Sequence, residues 1–127
     1  QLKALVLGNG GAAKAVLAAL EDLQIEYKIV SRQSSASAIG YEELTPDIIA
    51  THRLIINTSP VGTYPKTEEC PAIPYALLDK RHLLYDLVYN PTETLFLKKG
   101  KAQAAQTHNG LPMLHLQAEK AWEIWNS

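Results

Sequence analysis

A chain of 127 residues, 46% hydrophobic and 20% charged, is long enough for one domain with a substantial core and too short for two ordinary ones. A formal net charge of −1 argues against a nucleic-acid surface or an anionic-membrane patch, and no apolar run approaches the roughly 20 residues needed to span a bilayer. The single cysteine, Cys70, has neither a disulfide partner nor a Cys/His neighbour at ligand spacing, and "QLKALVLG" carries no basic leader. These features lead to the expectation of a cytoplasmic protein with no structural metal.

In chain order, Ala4 to Leu7 is a short continuous apolar run, which suits a strand covered on both faces. The following "AAKAVLAALEDLQ" places Ala13, Val16, Leu17, Leu20 and Leu23 at three- and four-residue spacing, one face of a helix. "YKIVSR", Tyr27 to Arg32, reads as a second strand, and the three elements make a βαβ unit with parallel strands. The serine-rich "SRQSSASAIG" is a polar loop leading to a short edge strand near Ala38 to Tyr41. "EELTPDIIATH" has weak helical character, with Pro46 suited to a first turn.

Leu54 to Asn57 is the next buried strand, and the "TSPVGTYPKTEECPAIP" that follows, with four prolines, is a long connection in which Val61, Tyr64 and Ile73 can pack. Leu83 to Tyr89 reads as a strand, "TETLFLKKG" as a short helix stopped by Gly100, "KAQAAQT" as a final strand and "LPMLHLQAEKAWEIW" as a terminal helix with Pro112 in its first turn. This alternation predicts an α/β, Rossmann-type doubly wound, mainly parallel sheet with helices on both faces.

In such a sheet the first strand-to-helix turn is where a dinucleotide pyrophosphate sits, because backbone N–H groups and the helix dipole favour an anion. Here that turn is Gly8-Asn9-Gly10-Gly11-Ala12-Ala13. Gly8 suits the tight turn, Gly10 the approach of the pyrophosphate, and Ala13 close helix-to-strand contact. About 20 residues further on, where a carboxylate would select NAD, the chain has Ser31-Arg32-Gln33. Arginine and serine suit a 2′-phosphate, which favours NADP; the competing reading of Arg32 is a solvated arginine at a strand end.

Three later segments go further: "INTSPVG" (Ile56 to Gly62), "YDLVYNPTET" (Tyr85 to Thr94) and "NGLPMLHLQAEKAWEIW" (Asn109 to Trp125). Together with "GNGGAAKA" and "SR", in this order and over nearly the whole chain, they resemble the C-terminal, NADP-binding half of the shikimate dehydrogenase family. The resemblance implies that Gly8, Asn9, Gly10, Gly11 and Ala12 form the cofactor's glycine loop and that Ser31 and Arg32 clamp its adenosine phosphate. It also implies that Asn57 and Thr58 pass along the cofactor, and that Leu87 and Gly110 lie at the nicotinamide. Tyr89 and Gln117 are implied as contacts to the substrate, shikimate or 3-dehydroshikimate.

The family's reaction is reversible hydride transfer between NADPH and 3-dehydroshikimate. Its proton-transferring lysine and aspartate belong to an N-terminal substrate domain, and only Gln1 to Leu7 precede the glycine loop here. No catalytic residue is therefore assigned, and the chain is expected to be a separate cofactor domain without turnover. Leu114, Trp122 and Trp125, on a helix that in the family runs toward the substrate domain, are expected to expose apolar surface and support a homodimer. Plainer readings stay open: Tyr89 packed under the Asn90-Pro91 turn, Gln117 with another buried partner, the tryptophans as core packing, and His108 and His115 without a role. A quinate/shikimate dehydrogenase of broader specificity and a stand-alone NADP-binding regulatory module are the rival functions.

Overall fold

A computed structural model describes residues 2–88 and 90–109. Six strands, β1 (Lys3–Leu7), β2 (Glu26–Ser31), β3 (Ile39–Gly40), β4 (Leu54–Asn57), β5 (Leu83–Asp86) and β6 (Gln106–Asn109), form one sheet in the order β3-β2-β1-β4-β5-β6. Every ladder is parallel, with Leu7 opposite Val30 on one side and Asn57 on the other. This is the order of the doubly wound dinucleotide fold, whose two halves diverge between β1 and β4.

Burial on both faces explains the unbroken apolar runs in the central strands. Ala4, Val6, Leu54, Ile56, Leu83 and Tyr85 point into one core, which helix α1 (Gly11–Asp22) closes with Ala13, Val16 and Leu20. Leu5, Leu7, Ile55 and Leu84 point into the other, with Ile49 from α2 (Pro46–Thr51) and Phe96 and Leu97 from α3 (Leu95–Ala102). The Thr45 hydroxyl caps α2 through the Ile48 amide with Pro46 in its first turn, and Thr94 caps α3 through the Leu97 amide. Among the described residues no helix is long and apolar enough to cross a membrane.

The structure corrects three sequence-based boundaries. Gly100 does not stop α3; it lies within the helix, where a Cβ would strike the Leu84 side chain, so its smallness serves helix-to-strand packing. The stop is Ala104, in the left-handed region at φ 70°, with its own amide bonded to the Lys101 carbonyl and the Ala105 amide to that of Gly100. The final strand therefore begins at Gln106 rather than Lys101. Finally, β5 ends at Asp86 rather than at residue 89, because the Asp86 carboxylate captures the Val88 N–H (2.9 Å) and turns the chain out of the ladder.

Candidate functional site

The site forms at the carboxyl ends of the strands around the turn from β1 to α1. Gly8 turns the chain with φ 112°, held by its N–H to the Val30 carbonyl (2.8 Å). A side chain there would collide with Thr58, since an ideal Cβ would stand 2.6 Å from its Oγ1. Gly10 and Gly11 differ: both are exposed and no atom lies within 4 Å of where a Cβ would be. Gly10 precedes α1 without a side-chain cap, and the first turn of the helix carries no acidic residue. The amides at this helix start are thus free of competing side-chain acceptors and of any carboxylate that would repel an anion. Glycine flatness and helix polarity together fit a diphosphate.

Two clefts flank the turn. One, of about 650 Å³, lies off the end of β2 between Asn9 and Ser31, Arg32, Gln33, Ser34 and Ser35. Arg32 is exposed and the Ser31 hydroxyl donates to the Gln33 carbonyl (2.5 Å), which shapes the loop around the guanidinium. The other, of about 410 Å³, lies across β1 toward β4 and β5, with Ala12, Thr58, Ser59, Pro60, Leu87 and Val88 in its lining. The glycine turn joins them: Asn9 faces the first and Ala12 the second.

Of the residues singled out from the sequence, Gly8 to Ala12, Ser31, Arg32, Thr58 and Leu87 come together around these clefts. Asn57 stands apart, being fully buried: its amide donates to Asp86 (3.1 Å), and its carbonyl oxygen accepts from the amide (3.1 Å) and hydroxyl (2.6 Å) of Ser59. The Thr58 hydroxyl donates to the Leu7 carbonyl (2.8 Å), which pins the strand ends together. Tyr89, Gly110, Leu114, His115, Gln117, Trp122 and Trp125 lie outside the described residues. His108, on β6, stacks obliquely near Tyr85 at 6.3 Å between centroids, and burial lowers its basicity.

Sequence reasoning missed Asp86, the last residue of β5, which is completely buried. Burial raises its carboxyl above the ordinary carboxylate range, and the hydrogen bonds from the Thr94 hydroxyl, the Val88 amide and the Asn57 amide offset part of that rise. The available signal was an acidic residue closing an otherwise apolar strand.

Comparison with known proteins bears on what this arrangement serves. No protein-family model matches the chain. A shikimate dehydrogenase (NADP(+)) of Clostridium beijerinckii is 40% identical over 129 residues, spanning 96% of this chain and 47% of its own length. One from Methanococcus maripaludis is 38% identical over 135 residues, spanning 95% and 48%. Over nearly its whole length this chain is similar to shikimate dehydrogenases. A crystal structure of shikimate 5-dehydrogenase from Thermus thermophilus, in complex with NADP(H) and shikimate, superposes with a TM-score of 0.71 at 31% identity over 96% of this chain and 48% of that one. The chain thus spans about half the length of the shikimate dehydrogenases it matches.

Proposed function

We propose that this chain is the NADP-binding Rossmann domain of a shikimate dehydrogenase, an oxidoreductase acting between shikimate and 3-dehydroshikimate, and that a second domain completes the enzyme. The observation that carries the reading is the pair of clefts joined by the exposed Gly10-Gly11 turn, a layout matched to two mononucleotide halves linked by a pyrophosphate. Similarity to shikimate dehydrogenases supports the substrate class.

In this reading the turn from Gly8 to Ala12, with Asn9, holds the pyrophosphate by backbone amides. Arg32 and Ser31 take the 2′-phosphate, where a planar, permanently charged donor set is matched to phosphate oxygens. Thr58, Leu87 and Gly110 frame the nicotinamide half, and Asn57 acts from behind by orienting Ser59. Tyr89 and Gln117 contact the substrate. The bound cofactor supplies the hydride.

Titration of the chain with NADP+ and NAD+ tests the reading. NADP+ is expected to bind more tightly, and Arg32→Ala to cut that preference by about ten- to hundredfold, the worth of one to two charge-assisted hydrogen bonds. Equal affinity for the two cofactors in the unaltered chain would remove Arg32 as the selector.

Reduction of a ketone also needs a proton donor within hydrogen-bond reach. None of the described residues lining the cleft beside Leu87 is a lysine, a histidine or a carboxylic acid. The 127 residues by themselves are therefore expected to bind NADP+ without oxidising shikimate. Sustained NADPH production above blank in a spectrophotometric assay would show that the proton-handling group is already present in this chain.

A further inference from the structure

The carboxylate of Asp86 gathers donors from three separate segments. Its Oδ1 accepts from the Asn57 amide (3.1 Å) at the end of β4 and from the Val88 N–H (2.9 Å) just beyond β5, and its Oδ2 accepts from the Thr94 hydroxyl (2.6 Å) at the start of α3. Asn57 extends the chain of bonds to the amide and hydroxyl of Ser59. Asp86, Asn57 and Thr94 are all 0% exposed, so no water competes for these bonds.

Chemistry dictates the residue types. Three donors converge on position 86, and only an ionised carboxylate accepts on both oxygens while presenting no proton of its own. Position 57 must donate to that carboxylate and accept from Ser59, which an amide does and a second carboxylate would not. Both ends of the network line one cleft: Ser59 at the end reached through Asn57, Leu87 and Val88 at the end next to Asp86. The Leu87 N–H also bonds the Asn57 carbonyl (3.1 Å), so both sides are referred to the same pair of residues.

We infer that Asp86 is a positioning residue for the nicotinamide half of the cofactor: a buried carboxylate that, through Asn57, sets Ser59 against Leu87 and Val88. The inference rests on the proposed cofactor reading of this cleft. The Arg32 cleft shares none of these bonds, so the effect of Asp86 is confined to one half of the ligand. Asp86→Asn keeps the shape but removes the charge that strengthens all three bonds, and it puts an amide N–H against the Thr94 hydroxyl, which has to turn from donor to acceptor to meet it.

The test is calorimetric titration of the chain and of Asp86→Asn and Ser59→Ala with NADP+ and with 2′,5′-ADP, which carries the adenosine phosphates without the nicotinamide. Asp86→Asn is expected to bind 2′,5′-ADP as the unaltered chain does and NADP+ about tenfold more weakly, the loss of one hydrogen bond to a charged group. Ser59→Ala is expected to show a smaller loss confined to NADP+. Asp86→Asn with both affinities unchanged, or with both reduced equally, overturns the inference. If Asp86→Asn does not fold, Ser59→Ala decides, because it leaves the carboxylate and its donors in place; no selective loss of NADP+ then overturns it. An unaltered chain that binds neither ligand, or binds both equally well, instead overturns the cofactor reading of the cleft.

Discussion

Gly8→Ala is expected to destabilise the fold by about 2–4 kcal/mol and to abolish detectable NADP+ binding, through two effects that add. Gly8 has φ 112°, a backbone state that costs a side-chain-bearing residue about 1–3 kcal/mol. The new Cβ would also stand 2.6 Å from the Thr58 Oγ1 and 3.2 Å from the Ser59 nitrogen. Neither side yields readily. The Gly8 N–H is tied to the Val30 carbonyl, while the Thr58 amide (2.9 Å) and hydroxyl (2.8 Å) both bond the Leu7 carbonyl.

The neighbouring glycines make the control. Gly10→Ala and Gly11→Ala meet nothing within 4 Å, so stability is expected to hold or to rise slightly, since Gly11 opens α1 and alanine favours helix. Their methyl groups would occupy the space over the helix start, so NADP+ affinity is expected to fall all the same. Urea denaturation and cofactor titration on the three variants separate the roles. If Gly8→Ala is as stable as the other two, the strain argument fails; if Gly10→Ala binds NADP+ normally, the pyrophosphate does not approach that backbone.

These three glycines show what a sequence discloses and what it hides. The β1 run, the glycine turn and the α1 stripe are local patterns, readable from spacing alone, and β4 lies at Leu54–Asn57 as its apolar run predicts. The position of Arg32 just past β2 was legible as well, because the distance from the glycine turn to the end of β2 is set by one helix and one strand. The family resemblance implies Leu87 at the nicotinamide; in the structure Leu87 lines the cleft toward β4 and β5.

Contacts made across the sheet were not legible. Gly100 resembles a helix stop, yet its smallness answers to Leu84 on a neighbouring strand, and the stop falls to Ala104, whose type favours continuing the helix. Asp86 bonds Asn57, 29 residues back, and Thr94, 8 residues on, separations that neither helical nor strand periodicity registers. The resemblance implies Asn57 as a cofactor contact; the structure buries it completely, with its side chain bonded to Asp86 and Ser59, and spacing along the chain registers neither bond.

His82→Ala is expected to cost about 3–5 kcal/mol, a large share of the 5–15 kcal/mol typical of a domain. His82 is 1% exposed in the turn before β5. Its Nε2 lies 2.8 Å from the Ile49 carbonyl in α2, so Nε2 carries the proton and donates; Nδ1 is then bare and accepts the Asp79 N–H (3.1 Å). The ring thereby fastens α2 to the turn that delivers β5, the strand ending in Asp86. Alanine leaves the buried Ile49 carbonyl without this partner, at about 1–3 kcal/mol, takes the acceptor from the partly buried Asp79 N–H at a smaller cost, and opens a cavity as well. His82→Phe separates the two terms, since it fills most of the volume while restoring neither bond. A loss under His82→Phe close to that under His82→Ala would assign the cost to hydrogen bonding, and a loss near zero in both would show that the ring ties nothing together. Because the tie ends on the strand that carries Asp86, any His82 variant that remains folded is expected to weaken NADP+ more than 2′,5′-ADP, in the same sense as Asp86→Asn but to a smaller degree.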